Sequence, residues 1–252
     1  MTQLFSKEQH TKFINKFNIK KNPTKVEINF YNKTEKYLKY IKWIPWLKMV
    51  WIWNSISMNC ADENSDIDLY IVTDEKRIWF VRILVTIIFQ ILWVRKNEKN
   101  HAWRFCLSFF STIKWMDFNT FKIENDIYLY FWIIYFKPIL DYENTYDNFI
   151  TKNNSWLNIK WYEDIIKENK KFIKYTRDNK CIIKKCSILK IFWIIYYSFL
   201  NFIEYILKSL FSFKTINTYK KIWKPYWVII NNNLLKFHNW DIREEIKKEL
   251  IN

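Results

Sequence analysis

The sequence predicts a mixed α/β fold: a mixed sheet flanked by helices, followed by a mostly helical C-terminal region. Three observations carry this. Residues 47–52 and 66–72 are short apolar runs with strand spacing, separated by a polar turn segment. Residues 75–94 then form one long apolar stretch at helical length, followed by a third strand-like run at 104–110. After residue 111 the character changes to long aromatic segments at helical spacing. Residues 1–24 read as an N-terminal helix, 25–120 as the α/β domain and 121–252 as the helical region.

Taken in order, residues 6–18 suit a helix with Ser6 as its cap. Residues 25–31 alternate Val26, Ile28 and Phe30, which predicts a short strand or an extended linker. Tyr37, Leu38 and Ile41 share a helix face within 32–43, and that helix must end before Pro45. Residues 55–61 read as a turn or short helix. In the second half, 126–136 is an apolar helix stopped by Lys137-Pro138, 142–153 is a polar segment that could open with a short helix, and 161–178 is a charged amphipathic helix. Residues 186–213 are the most hydrophobic stretch of this half, and 238–250 close the chain as a charged helix.

The composition is unusual in one respect. There are 252 residues and no glycine, where average usage near 7% predicts about 18. Tryptophan is present 15 times. Several tryptophans fall where glycine is expected: Trp53 at a strand-to-helix turn, Trp93 at the end of an apolar helix, Trp103 before a strand and Trp227 beside Pro225. A chain of this length needs backbone at positive φ, which glycine normally supplies. The pattern is that of a gene whose UGA codons mean glycine, as in some bacterial lineages, but have been written as tryptophan. Trp46 and Trp156 read instead as real apolar anchors.

The formal net charge is +16. It is scattered, and it accompanies abundant Ile, Asn, Tyr and Phe, all favoured by AT-rich codons. Nucleic acid is therefore a permitted but not a required partner. The four cysteines (Cys60, Cys106, Cys181 and Cys186) have no zinc spacing and no nearby histidine pair, so free thiols in a cytoplasmic setting are expected. The opening residues are too polar for a signal peptide. Only 12 uncharged residues separate Arg82 from Arg95, and 13 separate Lys190 from Glu204. A membrane span needs about 20, so no transmembrane segment is expected. A buried helix, or one lying on a membrane surface, suits 186–213 better.

The chemistry centres on Asp66-Ile67-Asp68. Strand alternation puts both carboxylates on one face and Ile67, Leu69 and Ile71 on the other. Adjacent hard oxygens suit Mg²⁺. Eleven residues before Asp66 stands Ser55, just after the first strand. This combination resembles the nucleotidyltransferase superfamily, with its DNA polymerase beta-like domain. That signature is an apolar residue, Gly, Gly or Ser, a spacer of about ten residues, and Asp-x-Asp between apolar residues. Ser55 matches the serine and Asp66 and Asp68 match the acids. The glycine falls on Asn54, the residue that best tolerates left-handed backbone after glycine. The match is specific over 47–74 and extends to about residue 111. A vaguer likeness to the tails of bacterial proteins with this domain covers Leu235-Lys236-Phe237-His238 and Asp241-Ile242-Arg243.

The resemblance implies an enzyme that transfers a nucleoside monophosphate from an NTP, ATP first among them, to a hydroxyl acceptor and releases pyrophosphate. Asp66 and Asp68 would hold Mg²⁺, and Asn54, Ser55 and Ser65 would contact the nucleotide. The acceptor could be a small molecule, a protein or an RNA. One part departs from the family. Its third acid would fall within Phe105-Cys106-Leu107-Ser108-Phe109, which has no carboxylate, and Asp117 replaces it only if the strand runs later. A non-catalytic nucleotide-binding or regulatory protein on the same fold is therefore the first alternative. A basic protein associated with RNA or a membrane surface is the second. Arg82 reads either as a nucleotide contact or as a partner of Asp74 or Glu75. Residues 238–243 read either as a phosphate-facing cluster of His238 and Arg243 or as a helix cap by Asn239 or Asp241.

Overall fold

A computed structural model describes residues 5–97, 99–177, 187–219, 228–237 and 241–251. Helix α1 (Lys7–Phe17) starts with a capping box in which Ser6 and Gln9 satisfy each other's backbone N–H groups. Helix α2 (Lys25–Leu38) absorbs residues 25–31, so the expected strand or linker there is a helix. The reason is a second capping box: the Glu27 carboxylate accepts the Thr24 N–H at 2.7 Å. Its other oxygen accepts the Ala61 N–H at 3.0 Å, fastening α2 to a later turn.

The α/β part then runs β1 (Leu47–Ile52), α3 (Asn54–Ser57), β2 (Ile67–Thr73), α4 (Ile78–Ile91) and β3 (Phe105–Thr112). Next come α5 (Ile127–Ile134), β4 (Lys137–Tyr142), α6 (Thr145–Asn153), α7 (Glu163–Lys170) and β5 (Tyr175–Arg177). The chain continues with α8 (Ser187–Tyr219), β6 (Val228–Ile230), β7 (Leu234–Phe237) and α9 (Arg243–Ile251). The seven strands form one sheet in the order β5-β4-β1-β2-β3-β7-β6. The β2–β3 and β4–β5 pairs are parallel and the others antiparallel. The mixed α/β fold is as the sequence predicts. The sheet also takes four strands from beyond residue 120, a region that is otherwise helical. Pro138 does not end β4, because it sits where the β1–β4 register shifts.

Strand alternation divides the core in two. Met49, Trp51, Trp53, Tyr70, Val72 and Phe109 pack with α5 and α6 on one face. Val50, Ile52, Leu69, Ile71 and Phe110 pack with α2 and α4 on the other. Helix α8 docks on the start of α4, where the Glu204 carboxylate accepts the Trp79 and Phe80 N–H groups, each at 2.9 Å. Two orphan donors of α4 are thus capped by a side chain from another helix. Tyr196, Phe199, Phe202, Tyr205 and Phe213 on α8 stay exposed. Among the described residues no helix is long and apolar enough to cross a membrane.

Two of the suspect tryptophans have left-handed backbone: Trp93 at φ 55° and Trp103 at φ 61°. Trp93 follows the end of α4, with Trp93 N–H donating to Gln90 O and Val94 N–H to Phe89 O, each at 3.1 Å. That is the paired bonding of a Schellman cap, whose left-handed position is usually glycine. Trp103 is the third residue of a turn closed by Arg104 N–H to His101 O at 3.0 Å. Trp53 differs from expectation. Its backbone is extended at φ −136°, and the left-handed residue is its neighbour Asn54 at φ 59°. The Trp53 ring is buried against Trp132 and Phe109, so nothing local there demands glycine. Trp156 is a buried anchor, its indole N–H donating to Asn153 Oδ1 at 3.1 Å, and Trp46 packs edge-on against Phe80. Trp227 lies outside the described residues.

Candidate functional site

The site forms where β1 ends and β2 begins. Trp53 N–H donates to the Asp68 backbone carbonyl at 3.2 Å, which ties the end of β1 to the backbone of the second aspartate. The left-handed turn at Asn54 then swings its side chain back over the strand. Asn54 Nδ2 donates to Asp68 Oδ2 at 2.7 Å, while its Oδ1 accepts the Tyr128 hydroxyl at 3.3 Å. Asn54 thus both adopts left-handed backbone and orients a carboxylate. Ser55 lies in the first turn of α3, after Asn54, and is half-buried; its carbonyl accepts the Cys60 N–H at 2.9 Å, closing the turn. Ser65 builds the turn before β2: its Oγ accepts the Asp62 N–H and donates to Asp62 Oδ1, both at 3.0 Å.

Asp66 and Asp68 come together with Cys106. Their carboxylate oxygens and the Cys106 sulfur all lie within 4.8 Å of one another. Cys106 gets there because β3 runs parallel to β2 with Asp68 opposite Cys106. The same register excludes Asp117 as the third acid. It lies beyond Thr112, past the far end of β3, and caps a short turn by accepting the Asn119 N–H at 3.0 Å. Lys96 closes the other side. Its backbone N–H joins Phe105 O at 2.9 Å, and its ammonium reaches Asp66 Oδ2 at 2.6 Å.

Electrostatics follow from this crowding. Burial, then the charge of Asp66, raises the Asp68 pKa well above the ordinary carboxylate range, against hydrogen bonds from Asn54 and Cys106 and the charge of Lys96. Burial beside Asp68 raises the Cys106 thiol too, so it stays protonated. Burial pulls Lys96 down, but the hydrogen bond to Asp66 and the surrounding negative charge leave it raised overall. The two carboxylates fit a hard divalent cation. The Cys106 thiol is a poorer ligand for such an ion than either carboxylate.

Beside Asn54 opens a cleft of about 200 Å³, whose walls include Trp53, Tyr128, Lys236, Asp241 and Arg243. Asp241 Oδ2 pairs with Lys236 at 2.8 Å and Asp241 Oδ1 with Arg243 Nε at 2.9 Å. Arg243 also reaches the buried Asp126, the N-cap of α5, at 3.0 Å. Burial opposes charge on Asp241, but the hydrogen bond from Arg243 and the charge of Lys236 bring its pKa down to about 2. Asp241 pairs with Arg243 and also accepts its backbone N–H at 3.2 Å, the helix-start contact of the cap reading. His238 and Asn239 lie outside the described residues. Arg82 stands over the Phe237 ring at 4.5 Å, on the α4 side of the sheet.

Sequence reasoning missed Lys96, Tyr128 and the placement of Cys106 beside the two carboxylates. Only the parallel register of β2 and β3 gathers Lys96 and Cys106, and no local pattern announces it. Cys60 and Cys106 are free thiols; Cys181 and Cys186 lie outside the described residues. In comparisons with protein-family models, curated proteins and solved structures, nothing matches the chain.

Proposed function

We propose that the chain is a Mg²⁺-dependent nucleotidyltransferase, moving a nucleoside monophosphate from an NTP to a hydroxyl acceptor with release of pyrophosphate. The observation that carries this reading is the convergence of Asp66, Asp68 and the Asn54–Ser55 turn beside an open cleft. Mg²⁺ on the two carboxylates supplies charge neutralisation where the triphosphate and its leaving group gather negative charge. Asn54 holds Asp68 in place, and Ser55 offers its hydroxyl and N–H to a phosphate oxygen. Ser65 keeps the start of β2 in position. Lys96 offsets the charge of Asp66 until substrate arrives. The cleft takes the nucleotide or acceptor, with ATP the first NTP to test. The free thiols of Cys60 and Cys106 suit a cytoplasmic setting.

Cys106 favours a second reading. A protonated thiol stands where a proton-accepting carboxylate is expected, so the protein would bind Mg·NTP for regulation without transferring it. One experiment separates the two. The protein is incubated with Mg²⁺, each α-labelled NTP and cell extract, alongside the Asp66→Asn/Asp68→Asn variant. Label transfer that disappears in the variant supports the enzyme. Nucleotide binding without transfer, lost in the variant, supports the regulatory protein. Absence of both would overturn either reading.

A further inference from the structure

A second cavity, of about 700 Å³, shares no lining residue with the cleft beside Asn54. It lies between α1, α7 and the start of β4, and one of its walls is Lys137. Lys137 is 5% exposed. Its Nζ donates to Tyr31 Oη at 3.0 Å and to Asn59 Oδ1 at 2.5 Å. Both acceptors are locked in that role. The Tyr31 proton goes to Ile56 O at 2.8 Å, and Asn59 Nδ2 donates to Lys20 O at 3.0 Å. Among the described residues no carboxylate lies within ion-pair distance of this amine. Glu27, the nearest acid in charge terms, is committed to Thr24 and Ala61.

We propose that Lys137 is a nucleophilic amine that forms an imine with an aldehyde or ketone admitted by this cavity. The nitrogen is tetrahedral. One direction is the bond to Cε, and two N–H groups are spent on Tyr31 and Asn59. In the neutral amine the remaining direction is the lone pair. Burial brings the Lys137 pKa down to about 7, with Glu27 and Cys60 opposing it, so the neutral form is well populated at neutral pH. Covalent lysine chemistry needs such an environment. The lone pair attacks the carbonyl carbon and gives a carbinolamine. One N–H proton moves to the carbonyl oxygen as the carbinolamine forms and the second follows to that hydroxyl, which leaves as water while the C=N bond forms without any change of oxidation state. The cavity lining mixes Lys20 and Lys21 with Asp164 and Glu168, so it selects no one sign of charge and the carbonyl is left as the group to be recognised. The rival role is a structural cation held between the Tyr31 and Phe172 rings, 5.4 and 4.9 Å from Nζ.

The probe is glyoxylate with sodium cyanoborohydride at pH 7, which reduces any imine to N-carboxymethyl-lysine. Labelled positions are read by peptide mapping, in folded protein and in guanidinium. A surface lysine is neutral about once in 2,500 molecules at this pH, and an amine with pKa about 7 in about half. With restricted access allowed for, Lys137 should label on the order of a hundred-fold faster than exposed lysines. That preference should vanish on unfolding, and Lys137→Met should remove the fast phase. Labelling of Lys137 no faster than of surface lysines in the folded protein would overturn the proposal, as would a fast phase that survives in the variant. Should the variant fail to fold, the folded-against-unfolded comparison in the parent protein decides alone.

Discussion

Replacing Trp93 by glycine should stabilise the protein, although it deletes the largest side chain. Trp93 has φ 55° and is 78% exposed. Left-handed backbone costs a residue with a Cβ roughly 1–2 kcal/mol. Glycine escapes that penalty but gains about 0.4–1 kcal/mol of unfolded-state freedom. The balance favours glycine by about 1 kcal/mol, or roughly 2–4 °C in Tm for a chain of this size. Alanine separates the backbone effect from loss of the ring. Trp93→Ala removes the ring and keeps the Cβ, so Trp93→Gly should exceed it by about 1 kcal/mol in urea denaturation. Trp43 supplies the opposite sign. It is 60% exposed and is not among the positive-φ residues, so there alanine should beat glycine. Equal stability of Trp93→Gly and Trp93→Ala, or the same Gly-minus-Ala sign at both sites, would refute the reasoning.

Trp103→Gly should gain the same backbone relief yet come out near neutral, because the ring it loses stacks on Phe30 with centroids 3.9 Å apart; thermal melts beside Trp93→Gly will show the difference. Codons 93 and 103 in the gene should both be UGA, and sequencing that finds UGG at these positions would remove the glycine reading. Arg243→Met should cost about 3–5 kcal/mol in denaturant titration, since it leaves the buried Asp126 carboxylate without its cation and Asp241 with Lys236 alone. Asp241 also sets an acid limit. Its folded pKa of about 2 lies below the unfolded value near 3.8, so its contribution of roughly 2 kcal/mol is present above about pH 4 and is lost as pH falls towards 2. Asp241→Asn should flatten that part of the stability–pH curve.

The Asp pair was legible because strand period and residue chemistry coincide within three positions. Asn54 was legible for a related reason: a left-handed turn has few tolerated residues. Residues 25–31 misled because Val26, Ile28 and Phe30 alternate, while the Thr24–Glu27 capping box carried the stronger local signal. Lys137-Pro138 read as a stop because proline ends helices, and the strand it opens is stabilised by pairing with β1, 85 residues earlier at Ile52. Cys106, Lys96 and the Asp126–Arg243 link depend on pairings that only the folded chain creates.

The position of β7 sets an order of assembly. It pairs with β3, placing Leu235 against Phe110, and its Lys236 lines the cleft beside Asn54. On the ribosome, β1, β2 and β3 emerge more than a hundred residues before this partner. The nascent chain therefore carries an open β3 edge, a natural template for wrong pairing, until β7 arrives. The carboxylate pair can form early, but the cleft wall must wait. A stalled or shortened translation product would keep the two aspartates while lacking the wall that Lys236 gives the cleft beside Asn54.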